Sequence, residues 1–149
     1  MRFLGITPYL YYDNAAAALD WLARAFGFEE IGRYLDEDGA VRESEMRIGE
    51  QELWLNGSGP DYWQKKGYGA EQLILIWVDD LDEHYARFKA AGFEAEAPED
   101  KPYCVRMYTA TDPEGYKWGF MQRLGTEMQL QPGWTEIIPG RPPRGAAGS

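Results

Sequence analysis

Residues 7–28 read TPYLYYDNAAAALDWLARAFGF. The run from Phe3 to Tyr12 is apolar or aromatic and stops at Asp13-Asn14. Asp and Asn end strands and begin helices, because their short side chains accept from the free N–H groups of a first helical turn. Ala15, Ala18, Leu19, Leu22, Ala25 and Phe26 then recur at i, i+3, i+4 and i+7, so one helix face is apolar. Gly27 stands where a helix closes in the left-handed conformation. The spacing predicts a strand over 3–12, a helix from Ala15, and a new strand from Phe28.

Working outward, Phe28–Leu35 reads as a strand, Asp38-Gly39 as a hairpin turn, and Val41–Ile48 and Gln51–Asn56 as two alternating strands around Gly49-Glu50. The first half is β-α-β-β-β. The second half repeats that order. Gln72–Val78 reads as a strand ending at Asp79-Asp80. Leu81, Tyr85 and Phe88 give a helical stripe, with Asp80 as cap and Glu83 in the capping-box position. Gly92 closes that helix. Phe93–Ala97, Tyr103–Thr111 and Tyr116–Gln122 read as strands, the last two joined by the tight turn Asp112-Pro113-Glu114-Gly115. Gly27-Phe28 recurs as Gly92-Phe93, and Leu53-Trp54-Leu55 aligns with Trp118-Gly119-Phe120, both 65 residues on. Shared element order at one spacing is the mark of an internal repeat. The fold class is therefore α+β, two tandem β-α-β-β-β modules. Residues 1–57 form the first module, 58–70 a linker, 71–123 the second module, and 124–149 a C-terminal extension ending in a loose tail. In the linker, Tyr62, Trp63 and Tyr68 either lid a cavity or cover apolar surface. In the extension, Trp134, Ile137 and Ile138 are expected to pack.

The 149 residues carry a net charge of −10 and no Lys/Arg cluster, which disfavours nucleic acid as a partner. The same field favours cationic or neutral small molecules. One cysteine, Cys104, excludes an internal disulfide framework, and one histidine, His84, excludes the usual zinc sets. No apolar stretch approaches the ~20 residues of a membrane-spanning helix. A leader peptide is rejected, since Pro8 interrupts the apolar run and the alanines after Asn14 belong to a helix. The chain is read as cytoplasmic, without membrane contact. Cys104 is expected to be a small buried strand residue, and His84 to be exposed, off the apolar stripe of its helix.

The chain resembles the glyoxalase/bleomycin-resistance proteins of the vicinal oxygen chelate superfamily. The resemblance rests on TPYLYYDNAAAALDW at 7–21, AFGF at 25–28 and YTATDPEGYKW at 108–118. It implies two modules whose strands curl into a cupped mixed sheet around a cavity, the glyoxalase/bleomycin-resistance/dioxygenase fold. It also implies a homodimer, often with modules paired between chains. Metal enzymes of the family place His, Gln or Glu ligands on four strands. Aligning the motifs puts those positions at Ile6, Trp54, Leu73 (Gln72 with a one-residue slip) and Gly119. None of the four aligned side chains can hold a divalent cation. The resemblance thus leads to a binding protein with no cofactor and no metal. It would hold a planar, cationic or neutral, antibiotic-like ligand in an aromatic cavity.

Strand alternation sorts the lining. If Trp54 faces the cavity, so do Glu52 and Asn56. Leu73 brings Leu75 and Trp77, and Gly119 brings Lys117 and Met121, leaving Trp118 and Phe120 beneath the helices. Arg106 and Tyr108 share one strand face, where the arginine needs a carboxylate partner or a ligand's anion. The candidate ligand-binding residues are Trp54, Trp77, Leu73, Gly119, Met121, Arg106 and Tyr108, with Gly119 leaving room that a metal ligand would have filled. The tryptophans serve equally as core or interface residues. Two other readings stay open. One is a metal-dependent glyoxalase-type lyase, isomerase or dioxygenase using Glu45, Glu50, Glu52 or Glu114. The other is a ligand-free structural module whose own side chains fill the cavity.

Overall fold

The structure is a computed structural model of the chain and describes residues 1–2, 4–59, 73–126, 132–133, 135–137 and 140–145. The elements run β1 (Tyr9–Tyr12), α1 (Ala15–Phe26), β2 (Glu29–Leu35), β3 (Val41–Ile48), β4 (Gln51–Gly57), β5 (Leu73–Trp77), α2 (Leu81–Ala90), β6 (Glu99–Lys101), β7 (Val105–Thr111) and β8 (Lys117–Arg123). Two-residue strands β9 (Thr135–Glu136) and β10 (Arg144–Gly145) follow. The strands form two four-stranded sheets in the orders β1-β4-β3-β2 and β5-β8-β7-β6. β1 lies parallel to β4 and β5 parallel to β8, while the other pairs in these sheets are antiparallel. The repeat expected from the sequence is thus present as two mixed sheets, each with one helix.

Each helix starts and stops where its end residues satisfy free backbone groups. Asn14 accepts from the Ala17 N–H at 3.0 Å, and Gly27 closes α1 at φ 80°. Asp80 accepts from the Glu83 N–H at 3.0 Å to open α2. The apolar stripe of α1 is buried over Leu53, Leu55 and Met46, and that of α2 over Tyr108 and Phe120. Both modules share one core. Phe26, at the end of α1, lies 4.8 Å from the Phe120 ring and 5.6 Å from Trp118, both in β8.

The modules are also clasped by the Asp112–Gly115 turn. Asp112 is buried and accepts from Tyr12 Oη at 2.6 Å and Trp118 Nε1 at 3.1 Å. It accepts as well from the N–H groups of Glu114 and Tyr116. Glu114 reaches back to the first module, accepting from Asp13 N–H at 2.6 Å and Asn14 N–H at 3.0 Å. Burial and the adjacent Asp112 carboxylate push the Tyr12 phenol far above its usual range, so it stays a donor.

Several sequence expectations fail locally. β1 begins at Tyr9, because Pro8 lacks an N–H and Gly5 turns the chain at φ 152°. Residues 93–97 form no strand. Phe93 instead stacks on Phe88 at 5.6 Å, Tyr85 Oη donates to the Ala95 carbonyl, and Pro98 cannot donate to a ladder. Cys104 is half-buried in the turn before β7, with φ 59°, rather than within a strand. Ile137 is exposed, while Tyr62, Trp63, Tyr68, Trp134 and Ile138 lie outside the described residues.

Gly57 closes β4 against the start of β3. A Cβ there would sit 1.9 Å from the Val41 carbonyl oxygen and 3.3 Å from Ala15 Cβ. Backbone must move to admit it, so Gly57→Ala destabilises the chain by about 1–3 kcal/mol, the usual cost of overpacking. A urea midpoint equal to that of the native chain would contradict this.

Candidate functional site

A four-stranded sheet with a helix on one face leaves its other face open unless something covers it. In β4, Leu53, Leu55 and Gly57 face the helix, so Glu52, Trp54 and Asn56 face outward. Register carries that face across the sheet. Tyr9 and Glu45 flank Trp54, and Tyr11 and Glu43 flank Asn56. In the second sheet, Leu73, Leu75 and Trp77 stand beside Lys117, Gly119 and Met121, with Thr111, Thr109, Met107 and Val105 on the next strand. The tryptophans are 40% exposed at Trp54 and 49% at Trp77, so neither is a core residue of this chain.

The two open faces differ chemically. On the first sheet, Tyr9 Oη donates to Glu43 Oε1 at 2.6 Å, and Asn56 Nδ2 donates to the same oxygen at 2.9 Å. Desolvation and the Glu43 carboxylate raise the Tyr9 pKa, which keeps its proton on the phenol. The Tyr9 ring meets Trp54 edge-on at 6.3 Å and Tyr11 at 5.2 Å. On the second sheet, Val105, Met107 and Met121 form a small apolar cluster. There the Arg123 guanidinium lies 4.3 Å from the centre of the Trp77 ring, so one face of that ring is taken.

Of the residues expected at the site, Trp54, Leu73, Trp77, Gly119 and Met121 lie on these open faces. Arg106 and Tyr108 do not. Both point to the helix side of β7, because Val105 and Met107 take the open side. Arg106 bonds Asp82 at 2.9 Å and Asp100 at 2.8 Å, so its carboxylate partners are structural. Tyr108 is buried against α2 and stacks 5.3 Å from Phe120. Gly119 leaves no vacancy, since a Cβ there would sit 2.7 Å from Met107 Cε and 2.9 Å from Leu75 Cδ2. Ile6 lies before β1 and is exposed.

A cleft of about 340 Å³ opens at the seam between the sheets. It runs between Ile6 and Pro8, the β3–β4 turn at Ile48 and Gln51, and Ile74 and Ile76 of β5. Of the seven candidate ligand-binding residues Trp77 borders it, together with Ile6, Glu52 and Leu75 from the other positions expected to face a cavity. Of the carboxylates considered as metal ligands, Glu114 is committed to the α1 N-terminus. Among the described residues no group of three His, Cys, Asp or Glu side chains converges as a metal site would require. No helix among them is long and apolar enough to cross a membrane.

His84 is half-buried, not exposed. Its Nε2 lies 3.0 Å from the Phe26 carbonyl, which only accepts, so Nε2 carries the proton. Nδ1 then accepts from Tyr108 Oη at 2.7 Å, and the ring lies 4.3 Å from Phe120. Its position three residues after Leu81 and four before Phe88 is the periodic signal that reveals this burial. Desolvation lowers the His84 pKa below its ordinary value near 6.5. The unfolded chain therefore binds a proton that the folded chain refuses, and His84 reduces stability as pH falls below about 6.5. His84→Phe should remove this part of the pH dependence while lowering stability at pH 8 by about 1–3 kcal/mol through two unpaired polar groups. Urea midpoints of both chains across pH 5 to 8 test it, and parallel profiles would refute the assignment.

Comparison with known proteins places this geometry. The sequence profile of the Glyoxalase/Bleomycin resistance protein/Dioxygenase superfamily matches residues 5–120. TioX from Micromonospora sp. ML1 is similar in structure, with a TM-score of 0.67 and 31% identity over 82% of this chain and 100% of TioX. A bleomycin resistance determinant encoded on the transposon Tn5 has a TM-score of 0.63 at 19% identity, covering 81% of this chain and 98% of its own. TnmS3, an antibiotic binding protein from Streptomyces sp. CB03234, also has a TM-score of 0.63 at 19% identity, over 83% and 98%. At that identity the last two share the fold alone.

Proposed function

The chain belongs to the glyoxalase/bleomycin resistance/dioxygenase superfamily, and on that premise we propose that it sequesters a planar, antibiotic-like small molecule without chemistry and without a metal. The observation that carries this reading is the exposed Trp54 ring at the middle of an open sheet face. A flat ring so placed offers a stacking surface, each aromatic contact contributing about 0.5–1.5 kcal/mol beyond area burial. Trp77 adds a second ring, with one face held by Arg123. The superfamily's metal-ligand positions align with Ile6, Trp54, Leu73 (Gln72 with a one-residue slip) and Gly119 here, and none of the four aligned side chains can hold a divalent cation. TnmS3, with the same fold, is described as antibiotic binding, and the Tn5 protein as a bleomycin resistance determinant.

The proposal includes a cytoplasmic homodimer. Leu73, Leu75 and Trp77 form an exposed apolar strip that a second copy would cover, closing a cavity between two open faces. Nucleic acid and membranes are not partners in this reading.

The test is titration of tryptophan fluorescence with bleomycin and a panel of planar intercalating antibiotics. Saturable quenching by one of them is expected, with affinity lowered about tenfold in Trp54→Ala. Trp77→Ala should lose less, since half of its stacking surface is already used. Stoichiometric metal in protein purified without chelator, or no binding by any member of the panel, overturns the reading.

A further inference from the structure

The cleft at the seam leaves part of the hydrophobic core uncovered. On the helix side of the sheets, Leu53 and Leu55 of β4 and Trp118 and Phe120 of β8 are fully buried. Ile74 and Ile76 pair with Trp118 and Phe120 and lie on the same side, yet both are only half-buried, with the cleft running alongside them. β5 is the edge strand of its sheet, so no further strand covers them. Leu53 and Trp118 also border the cleft, which therefore reaches in as far as the core shared by the modules. At its mouth stand Ile6, 83% exposed, and the exposed Glu52.

Walls of isoleucine give a water molecule few hydrogen-bond partners, so such a cavity takes up an apolar molecule instead. The volume of about 340 Å³ lies at the lower end of the range for small-molecule sites. A protein partner needs on the order of 1,000 Å² of buried surface, more than a cleft of this size presents. Charge narrows the class further. Among the described residues that line the cleft the one ionisable side chain is Glu52, so an anion meets repulsion and no counter-charge. A cation drawn to Glu52 at the mouth gains nothing from the aliphatic walls. The Trp77 ring already carries the Arg123 guanidinium 4.3 Å from its centre, which makes it a poor partner for a second cation. We infer that the seam cleft binds an uncharged, compact aromatic or alicyclic molecule, seated against Trp77 between Ile6 and the Ile74–Ile76 edge of β5. The site is complete within one chain. It goes beyond the receptor reading, since it depends on neither Trp54 nor a second copy.

Two dyes test the site. N-Phenyl-1-naphthylamine and 1-anilinonaphthalene-8-sulfonate share one ring skeleton, brighten in apolar surroundings, and differ in the negative charge of the second. The uncharged dye should bind one per chain, about tenfold more tightly than the sulfonate. Glu52→Gln should narrow that gap to about threefold by admitting the sulfonate. Ile6→Glu places a carboxylate in the mouth at an exposed position. It should weaken the uncharged dye about tenfold and leave the melting temperature unchanged. Leu73→Glu places the same charge on the second sheet's open face, away from the cleft, and should weaken that dye less than about twofold. No binding of the uncharged dye, equal affinity for the two dyes, or no loss in Ile6→Glu overturns the inference. A loss in Leu73→Glu as large as that in Ile6→Glu also overturns it, by placing the dye on the open face. The antibiotic titrations and Trp54→Ala report on the receptor reading, so each claim can fail without the other.

Discussion

Replacing Asp112 by Ala lowers stability by about 3–5 kcal/mol, a large share of the roughly 5–15 kcal/mol by which single domains are stable. The carboxylate is the common acceptor for Tyr12 Oη, Trp118 Nε1 and two backbone N–H groups. Tyr12 and Trp118 are fully buried, so water cannot take its place once it is gone. Each donor left unpaired in the interior costs about 1–3 kcal/mol. Asp112→Asn keeps one carbonyl oxygen and should fall between the native chain and the Ala variant. Tyr12→Phe removes one bond and should cost about 1–2 kcal/mol. Urea unfolding followed by circular dichroism measures all three. A loss below about 1 kcal/mol in Asp112→Ala would mean the interior tolerates the orphaned donors.

That cost bears on function because the turn joins the modules. Tyr12 ends β1 in the first sheet, and Trp118 belongs to β8 in the second. Glu114 from the same turn satisfies the N–H groups that open α1. An acidic side chain there also meets the positive end of the helix dipole. Loosening the turn changes how the two open faces stand to one another, so on the proposed receptor reading Asp112→Ala should weaken ligand affinity at temperatures where the protein remains folded.

The repeat was legible because it depends on local signals. Caps at Asn14 and Asp80, closing glycines at 27 and 92, and alternation from Ser44 onward in β3 and through β4 each report backbone chemistry within a few residues. Alternation also separated Trp54 from Leu53 and Trp118 from Gly119. What the sequence hid were tertiary partners. Asp112-Pro113-Glu114-Gly115 reads as a turn, and nothing local says that its carboxylates serve residues 100 or more positions earlier. Arg106 reads as needing either a carboxylate partner or a ligand's anion, and only the fold shows the partners to be Asp82 and Asp100. The vacancy expected at Gly119 is closed by Met107, a neighbour across a strand pair that sequence spacing alone does not specify. Glu45 reads from the sequence only as a candidate metal ligand, because its cross-strand neighbours Trp54 and Gly32 depend on register.

Phe26→Ala tests whether the two modules are one folding unit. Phe26 ends α1 in the first module, yet its ring contacts Phe88, Trp118 and Phe120 of the second as well as Phe28 and Trp21 of its own. Truncation removes the ring that the other aromatic side chains of the junction pack around and leaves a cavity lined by rings too rigid to collapse, so the expected loss is about 3–5 kcal/mol. If each module carried its own core, the variant would unfold in two steps, the second module retaining its own transition. With one shared core, circular dichroism and tryptophan fluorescence should report a single coincident transition at a lower urea midpoint with an unchanged slope. His84 supports the single step, since its Nε2 donates to the Phe26 carbonyl from α2 and ties the helix ends together. Two separated transitions in Phe26→Ala would show that the sheets fold independently, and that the Asp112–Gly115 clasp, rather than the aromatic junction, holds their open faces in place.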